Sequence, residues 1–498
     1  MSDQTLRFIA IAIYFAAMIA IGLYAFRKTD THEDYMLAGR ELKPWVAALS
    51  AGASDMSGWL MMGLPGALYL TGLVESWIAI GLTCGAYLNW KIVAPRLRAY
   101  TERSRNSITI PSFLENRLRD TSRILRVASG VIILVFFTFY VASMMVAGGV
   151  FFQESFGSTY LIGMLLIAGV TLVYTLFGGF LGASLTDVVQ GTMMMLALVA
   201  LPIMAVIAVG GIGETFEEIQ RVGPGHLSFL GAEGVSAATL LMIISSLGWG
   251  LGYFGQPHII VRFMAMKSPA SARAGRRVGM TWMVVSLGSA VIGGLVGLAY
   301  FSKQGITLAD SETVMLAMAQ ALFHPLVAGL VLAAVLAAIM STVSSQLIVC
   351  SSALVEDLLK VVVRKELSKK TLVMLGRMCV LLVAVVAVLL ALDPGGTILE
   401  LVGFAWAGFG ASFGPIILLS LFWRKLTNWG ALAGMVVGAA TVFIWSALDT
   451  GLYEIIPGVI ANVLVAVVVS RLTYTVDEEI EEEFTDAVAM VKQPSPVG

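Results

Sequence analysis

The chain has 498 residues, 58% hydrophobic and only 13% charged, with a formal net charge of −1. Soluble domains carry about 25% charged residues, so a chain of this length cannot cover a water-facing surface and must sit in lipid. The near-neutral charge by itself says nothing about partners, and there is no basic patch suited to nucleic acid. Cys84, Cys350 and Cys379 lie in or beside apolar runs at no metal-ligand spacing and read as small hydrophobes.

A bilayer core takes about 20 apolar residues as helix, because lipid offers backbone groups no hydrogen-bond partner. Thirteen segments qualify, at about 6–26, 44–70, 73–91, 126–152, 158–180, 186–210, 236–260, 278–302, 325–357, 373–392, 398–423, 430–449 and 453–470. The first follows a very short N-terminal stretch without a convincing cleavage site, which predicts a retained helix rather than a secretion signal. Lys and Arg concentrate in cytoplasmic loops. With thirteen crossings and an outside N-terminus, only Arg7, Arg221 and Lys303 of the 31 basic residues fall outside, and the C-terminus is cytoplasmic.

Between segments, Ile110, Phe113, Leu114 and Leu118 recur at helical spacing, predicting a short interfacial helix. Residues 308–324 predict an outer helix too short to span. Past the last segment, the run DEEIEEEF (477–484) reads as a solvated acidic face, with Ile480, Phe484, Val488 and Val491 on a possible surface helix. No signalling domain fits so short a tail, which argues against a membrane sensor.

Transporters bind solute and coupling ion near mid-membrane, where helices break and offer bare carbonyls. The second segment carries such a mark: Ser50, Ala51, Gly52, Ala53, Ser54, Asp55, Met56, Ser57, Gly58 and Trp59, with Pro65 beyond. A mid-helix carboxylate costs ~2.5–3.5 kcal/mol by insertion scales, so Asp55 should face a polar interior, either on a cation pathway or neutralised by a partner. In the ninth segment, Ser341 and Thr342 are adjacent hydroxyls. A hard cation takes such oxygens, although hydroxyls in membrane helices also back-bond. In the seventh, Trp249, Tyr253 and Pro257 recur every four residues, predicting one shared helix face that either packs or walls a small zwitterion.

Asp187 opens the sixth segment and reads as an interfacial cap or part of an ion exit route. Arg40 reads as an inner anchor or a functional cation. His258 and His324 lie near segment ends without metal spacing, and nothing resembles a nucleophile–base pair, so no enzyme is indicated.

The runs SAGASDMSGWLMMGLPGA (50–67), GWGLGYFGQPHI (248–259) and AAIMSTVSSQ (337–346) make the chain similar to the sodium:solute symporter family. So do Ser420, Leu421, Lys425, Gly430, Ala431 and the run 434–438. The resemblance covers all thirteen segments and fades in the tail. It implies an all-α integral membrane protein with about 13 transmembrane helices and leucine-transporter-like inverted five-helix repeats, formed by segments two to six and seven to eleven. One transport domain (1–476, core repeats about 44–210 and 236–423) would precede an acidic cytoplasmic tail (477–498).

The same resemblance implies sodium-coupled uptake of L-proline across a bacterial inner membrane by alternating access, at one sodium per proline, with no obligatory protein partner. Sodium would take the carbonyls of Ala53, Met56 and Ala338 and the hydroxyls of Ser341 and Thr342, with Asp55 beside it. Proline would lie near Ser57, Gly58 and Trp59, walled by Tyr140, Trp249 and Tyr253, with Pro257 shaping the helix. Glu312 matches a position tied to substrate handling, and Arg40 and Asp187 match ion-pathway positions. Another small amino acid, a monocarboxylate or an uncoupled facilitator stays open as the alternative.

Overall fold

A computed structural model describes residues 2–27, 40–359, 361, 368–393 and 395–492. Helix occurs in every one of the apolar segments, and the described residues contain no strand beyond an isolated bridge between Leu42 and Met266. Nine described helices are long and apolar enough to cross a bilayer. The exterior is dressed for lipid: Ile203, Ile207, Leu464 and Val468 are exposed, while Ser, Thr, Asp and Arg side chains are buried inside. The chain is a multi-pass membrane protein.

The remaining segments are helical but interrupted or shorter. The second runs as helix Pro44–Asp55, breaks, and resumes as a wide turn Trp59–Gly63 and helix Leu64–Thr71. The third is Ser76–Leu88 followed by a wide turn Asn89–Val93 and Ala94–Arg103. The fifth and sixth run together through Tyr160–Val209, with left-handed Gly179 (φ 56°) at the kink. The tenth is Lys369–Leu390. The seventh breaks after Ala237–Gly248 into a tight 3₁₀ turn, Trp249–Gly255, and resumes at Pro257–Met264.

Side chains sort the loops into two ends. At one, Arg40 donates to the carbonyls of Met264 and Ser107, Arg96 to that of Leu421 and Arg117 to that of Ser420. At the other, His226 meets Leu70, Trp77 donates to Phe229, Arg7 to Gln320, and the Tyr453 amide donates to the Ser245 hydroxyl. The first is the end that holds the basic loops.

Two expectations change here. The helix around Ile110 exists as Ile110–Arg117, started by a reciprocal Thr109–Ser112 cap, but Phe113 and Leu114 are fully buried instead of lying at an interface. The acidic tail is not a bare solvated face. It forms helix Glu478–Lys492, which docks across the basic-loop end. Glu479 and Glu483 pair with Arg119, and Glu481 with Arg424. Phe484 lies under the guanidinium of Arg424 (4.7 Å) and edge-on to Tyr100 (6.1 Å), whose ring also meets Phe113. The helix buries one apolar stripe and spends its acids on basic loops.

Partly exposed ion pairs contribute about 0–1 kcal/mol each, whereas truncating a buried Phe costs about 3–5 kcal/mol. Phe484→Ala should therefore release the tail far more than Glu481→Gln. Limited proteolysis after residue 476 of the purified protein reads this; equal cleavage of both variants would show that the charges, and not the ring, hold the helix.

Candidate functional site

The break in the second segment can be followed bond by bond. Met56 still donates to Gly52 (2.8 Å), closing the last helical turn. Ser57 then donates to Asp55 instead of Ala53, and Leu60 to Ser57 instead of Met56. The carbonyls of Ala53 and Met56 thereby lose their helical donors. Gly58 permits the turn to sit deep, because a β-carbon there would press on Ala147 and Ile339 at 3.2 and 3.3 Å.

The ninth segment lies against this break. The Ser341 hydroxyl donates to the Ala53 carbonyl (2.7 Å) and lies 3.2 Å from that of Ala338, which also accepts from Thr342 (3.2 Å). All these residues are buried. Two carbonyl and two hydroxyl oxygens thus converge without nitrogen or sulfur, a donor set suited to a small hard cation. Each hydroxyl can turn its proton away and offer the same oxygen as a ligand.

Asp55 stands on the other side of the break. Its Oδ2 accepts a hydrogen bond from the Tyr253 hydroxyl, and its Oδ1 has no hydrogen-bond partner among the described residues. Its carbonyl accepts from Trp59 Nε1 (3.2 Å) and lies 3.5 Å from the Tyr140 hydroxyl. Tyr253 lies on the 3₁₀ turn of the seventh segment, so the two broken helices are tied together at mid-bundle. Asn89 Nδ2 secures the Tyr253 carbonyl from the third segment (2.9 Å).

Around this tie stands an aromatic box. Trp249 lies 6.2 Å from Trp59 and 6.4 Å from Trp406, and Tyr253 meets Trp406 edge-on at 5.1 Å. Trp406, from the eleventh segment, was not singled out from sequence, although the run FAWAGFG (404–410) bears the same Gly/aromatic mark as the seventh. Its Nε1 donates to the Trp249 carbonyl (2.8 Å), and Gln256 donates to its own carbonyl (3.1 Å). Gly252 allows this approach, since a β-carbon would collide with the indole.

Pro257 does not join the box. A spacing of four matches an α-helix, but the stretch from Trp249 is 3₁₀, with fewer residues per turn, and Gln256 is extended. Pro257 instead starts the next helix and lines a separate cavity with Phe180 and Ile348.

Towards the basic-loop end lies a buried hub. The Asp187 carboxylate accepts from Ser50 (2.6 Å) and Arg262 (3.2 Å). Arg262 also donates to Ser50 (3.0 Å), Ser345 (2.7 Å) and its own helix at the His258 carbonyl. One guanidinium thus ties the second, sixth, seventh and ninth segments together. Asp187 is no interfacial cap: the helix runs on past it in both directions and it is fully buried. Arg40, at the basic-loop end, has its guanidinium buried against loop carbonyls. His258 lies inside, edge-on to Phe137 and Tyr140, rather than at a segment end.

At the opposite end, Glu312 sits in the 3₁₀ turn Ser311–Thr313, which leads into helix Val314–Leu322. Its carboxylate accepts from the amides of Ile398 (2.9 Å) and Leu399 (3.1 Å), at the start of the eleventh segment, and its backbone rests on Gly66. It clasps the second and eleventh segments and does not enter the aromatic box. Beside it, a vestibule of about 700 Å³ runs inward to Trp249, lined also by Glu75, Glu400, Phe404 and Tyr453.

The profile of the sodium:solute symporter family matches residues 35–438. The osmoregulated proline transporter of Bacillus subtilis (strain 168) is 52% identical over 469 residues, covering 93% of this chain and 94% of its own. The sodium/proline symporter of Escherichia coli (strain K12) is 48% identical over 501 residues, covering 100% and 99%. Among solved structures, a sodium-coupled sialic acid symporter in a substrate-bound outward-open state aligns with a TM-score of 0.80 at 18% identity, over 95% of this chain and 99% of its own. A nucleobase–cation symporter in a closed conformation gives 0.55 at 16%, over 90% and 97%.

The Glu312 clasp carries a pH signature. Burial pushes its carboxyl up to about 7, against the lowering effect of the two amides it accepts from. Once released to water it returns to the ordinary range, about 4.3. The docked state therefore binds more protons between these values, and docking weakens as pH rises through about 7. Hydrogen exchange at residues 314–322, corrected for intrinsic rate, should show protection falling from pH 5 to 7 and flattening above; in Glu312→Gln the slope should vanish. A flat wild-type profile would refute the clasp's titration.

Proposed function

The chain belongs to the sodium:solute symporter family, and from that premise we propose that it is a sodium-driven symporter that accumulates L-proline, working in a bacterial inner membrane. The observation that carries this reading is the break at Met56–Gly58, which frees the Ala53 and Met56 carbonyls beside Ser341 and Thr342 and adjoins the aromatic box. The family is one of transporters, not enzymes, and the named proline transporters at about half identity support proline as the solute.

Sodium, as co-substrate, takes the oxygens of Ala53, Met56, Ala338, Ser341 and Thr342, with Asp55 Oδ1 supplying nearby negative charge. Proline sits against Ser57, Gly58 and Trp59, between Tyr140, Trp249, Tyr253 and Trp406. Its ring matches an aromatic wall, and its charged ends meet the polar helix break. Glu312 acts on the route in, and Arg40 and Asp187 on the route out. Sodium between the second and ninth segments fixes the end of Pro44–Asp55 and so shapes the neighbouring proline pocket. That differential stabilisation is all that coupling requires.

The proposed topology has thirteen crossings, an outside N-terminus and a cytoplasmic tail in one transport domain. Segments two to six and seven to eleven form its inverted repeats. The alternation of loops between the two ends supports it, as does the placement of both breaks in the first helix of each repeat. The aligned fold of the sialic acid symporter supports it too. The Arg262 hub then closes the inner side while the vestibule opens the outer one to Trp249. Proline is a neutral zwitterion, so one sodium per proline moves one charge. That is worth ~2.3 kcal/mol per 100 mV, roughly fifty-fold accumulation before any sodium gradient is added.

Radiolabelled proline uptake into proteoliposomes, with and without an inward sodium gradient, tests the reading. The wild type should concentrate proline only with sodium. Thr342→Ala removes a hydroxyl oxygen facing a cation, worth about 1.5–3 kcal/mol, so the sodium concentration for half-maximal uptake should rise roughly 10- to 150-fold. Sodium-independent uptake would leave a facilitator, and uptake of other small solutes but not proline would move the substrate. Trp406→Phe should raise the KM for proline several-fold with little change in sodium dependence, since the indole contacts the box and not the oxygen cluster.

A further inference from the structure

On the basic-loop end, beside the docked tail, lies a cleft of about 720 Å³ whose chemistry none of the transport machinery uses. Lys91 from the third segment, Arg273, Arg276 and Arg277 from the start of the eighth, and Lys492 at the tip of the tail helix all line it, with no acidic side chain in its wall. None of the five pairs with a carboxylate among the described residues. Several other arginines on this end are matched: Arg119 and Arg424 with the tail, Arg126 with Glu115 and Asp357. Five like charges facing one recess without counter-charge repel one another, and they are relieved by an anion.

The cleft also has a lipid side. Lys91 and Arg276 both lie 5.5 Å over the ring of Tyr87, which is 41% exposed. From Tyr87 an exposed stripe of the third segment continues through Leu88, Cys84 and Ile80 into the bilayer zone. On the eighth, exposed Arg277 leads to Thr281, Val284 and Ile292 at helical spacing. The floor is Trp90, held edge-on against buried Phe263 at 4.5 Å. A recess with unpaired cations at its mouth and two parallel apolar stripes below is shaped for a molecule that is anionic at one end and apolar along the rest.

We infer that this cleft binds an anionic phospholipid of the inner leaflet, its phosphate among Lys91, Arg273, Arg276 and Arg277 and an acyl chain along the third and eighth segments. A free phosphate shares only the headgroup chemistry. It would make no use of the apolar stripes, and that difference separates the two.

The experiment is native mass spectrometry of the full-length protein in detergent, titrated with phosphatidylglycerol or phosphatidylcholine of equal chain length. The readout is independent of transport. Wild type should retain one phosphatidylglycerol in preference to phosphatidylcholine. Arg273→Gln/Arg276→Gln/Arg277→Gln should weaken that retention on the order of a hundred-fold. The charge-matched control Arg105→Gln/Arg123→Gln/Arg471→Gln, on exposed basic residues of the same end, should behave as wild type. If the triple variant unfolds, Lys91→Gln/Lys492→Gln supplies a milder loss in the same direction. Undiminished preference in the cleft variants, equal loss in the control, or displacement of the lipid by millimolar inorganic phosphate would each overturn the assignment.

Discussion

A helix that breaks inside a bilayer leaves carbonyls and amides that lipid cannot satisfy, so the break survives only where neighbouring protein takes them up. That constraint organises this molecule. At Met56–Gly58, the amides of Ser57 and Leu60 are satisfied by the wrong carbonyls for a helix, which leaves Ala53 and Met56 as surplus acceptors. Ser341 turns its hydroxyl to Ala53, while Trp59 and Tyr140 turn towards the Asp55 carbonyl. Each neighbour that stabilises the break is also a neighbour of the oxygen cluster or the aromatic box. The local failure of the helix and the binding geometry are one feature.

The same logic governs the charged groups. A guanidinium inside a membrane bundle is costly unless hydrogen-bonded on all sides, and Arg262 meets Asp187, Ser50, Ser345 and a backbone carbonyl. Removing one partner of such a buried pair leaves an uncompensated charge, so a half-broken hub is costly. The gate in the proposed transport cycle needs that property. Glu312 does the same at the other end on a smaller scale, with two amides as its partners.

Much of this was legible in the residues. The Gly/Ser interruption marked the second segment because small hydroxyls and a carboxylate have no business in an uninterrupted lipid-facing helix. The adjacent Ser341 and Thr342 were legible for the same reason. The misses have physical causes. Arg262 falls in a stretch that reads as one more positive-inside loop; only the break in the seventh segment carries Pro257–Met264 deep enough to bury it. Asp187 looked terminal because hydropathy opened the sixth segment at residue 186, whereas its helix already begins just after the non-helical Gly179. Pro257 was placed by an α-helical period that the 3₁₀ turn does not keep. Phe484 and its acids needed a partner surface that no local pattern displays.

Ser50, Ala53, Asp55, Ser57 and Gly66 lie in order along the second segment, and each belongs to a different part: the Arg262 hub, the oxygen cluster, the tie to Tyr253, the proposed proline pocket and the Glu312 clasp. A continuous helix would transmit any tilt of its inner end to its outer end, and both gates would then move together. The break at Met56–Gly58 separates them. In the proposed alternating-access cycle, Pro44–Asp55 swings with the hub while Leu64–Thr71 stays held by Glu312. With the oxygen cluster and the Asp55–Tyr253 tie at the break itself, the proposed ion and solute would bind where the two halves are joined. That is the least machinery with which one ion and one solute can govern opposite gates.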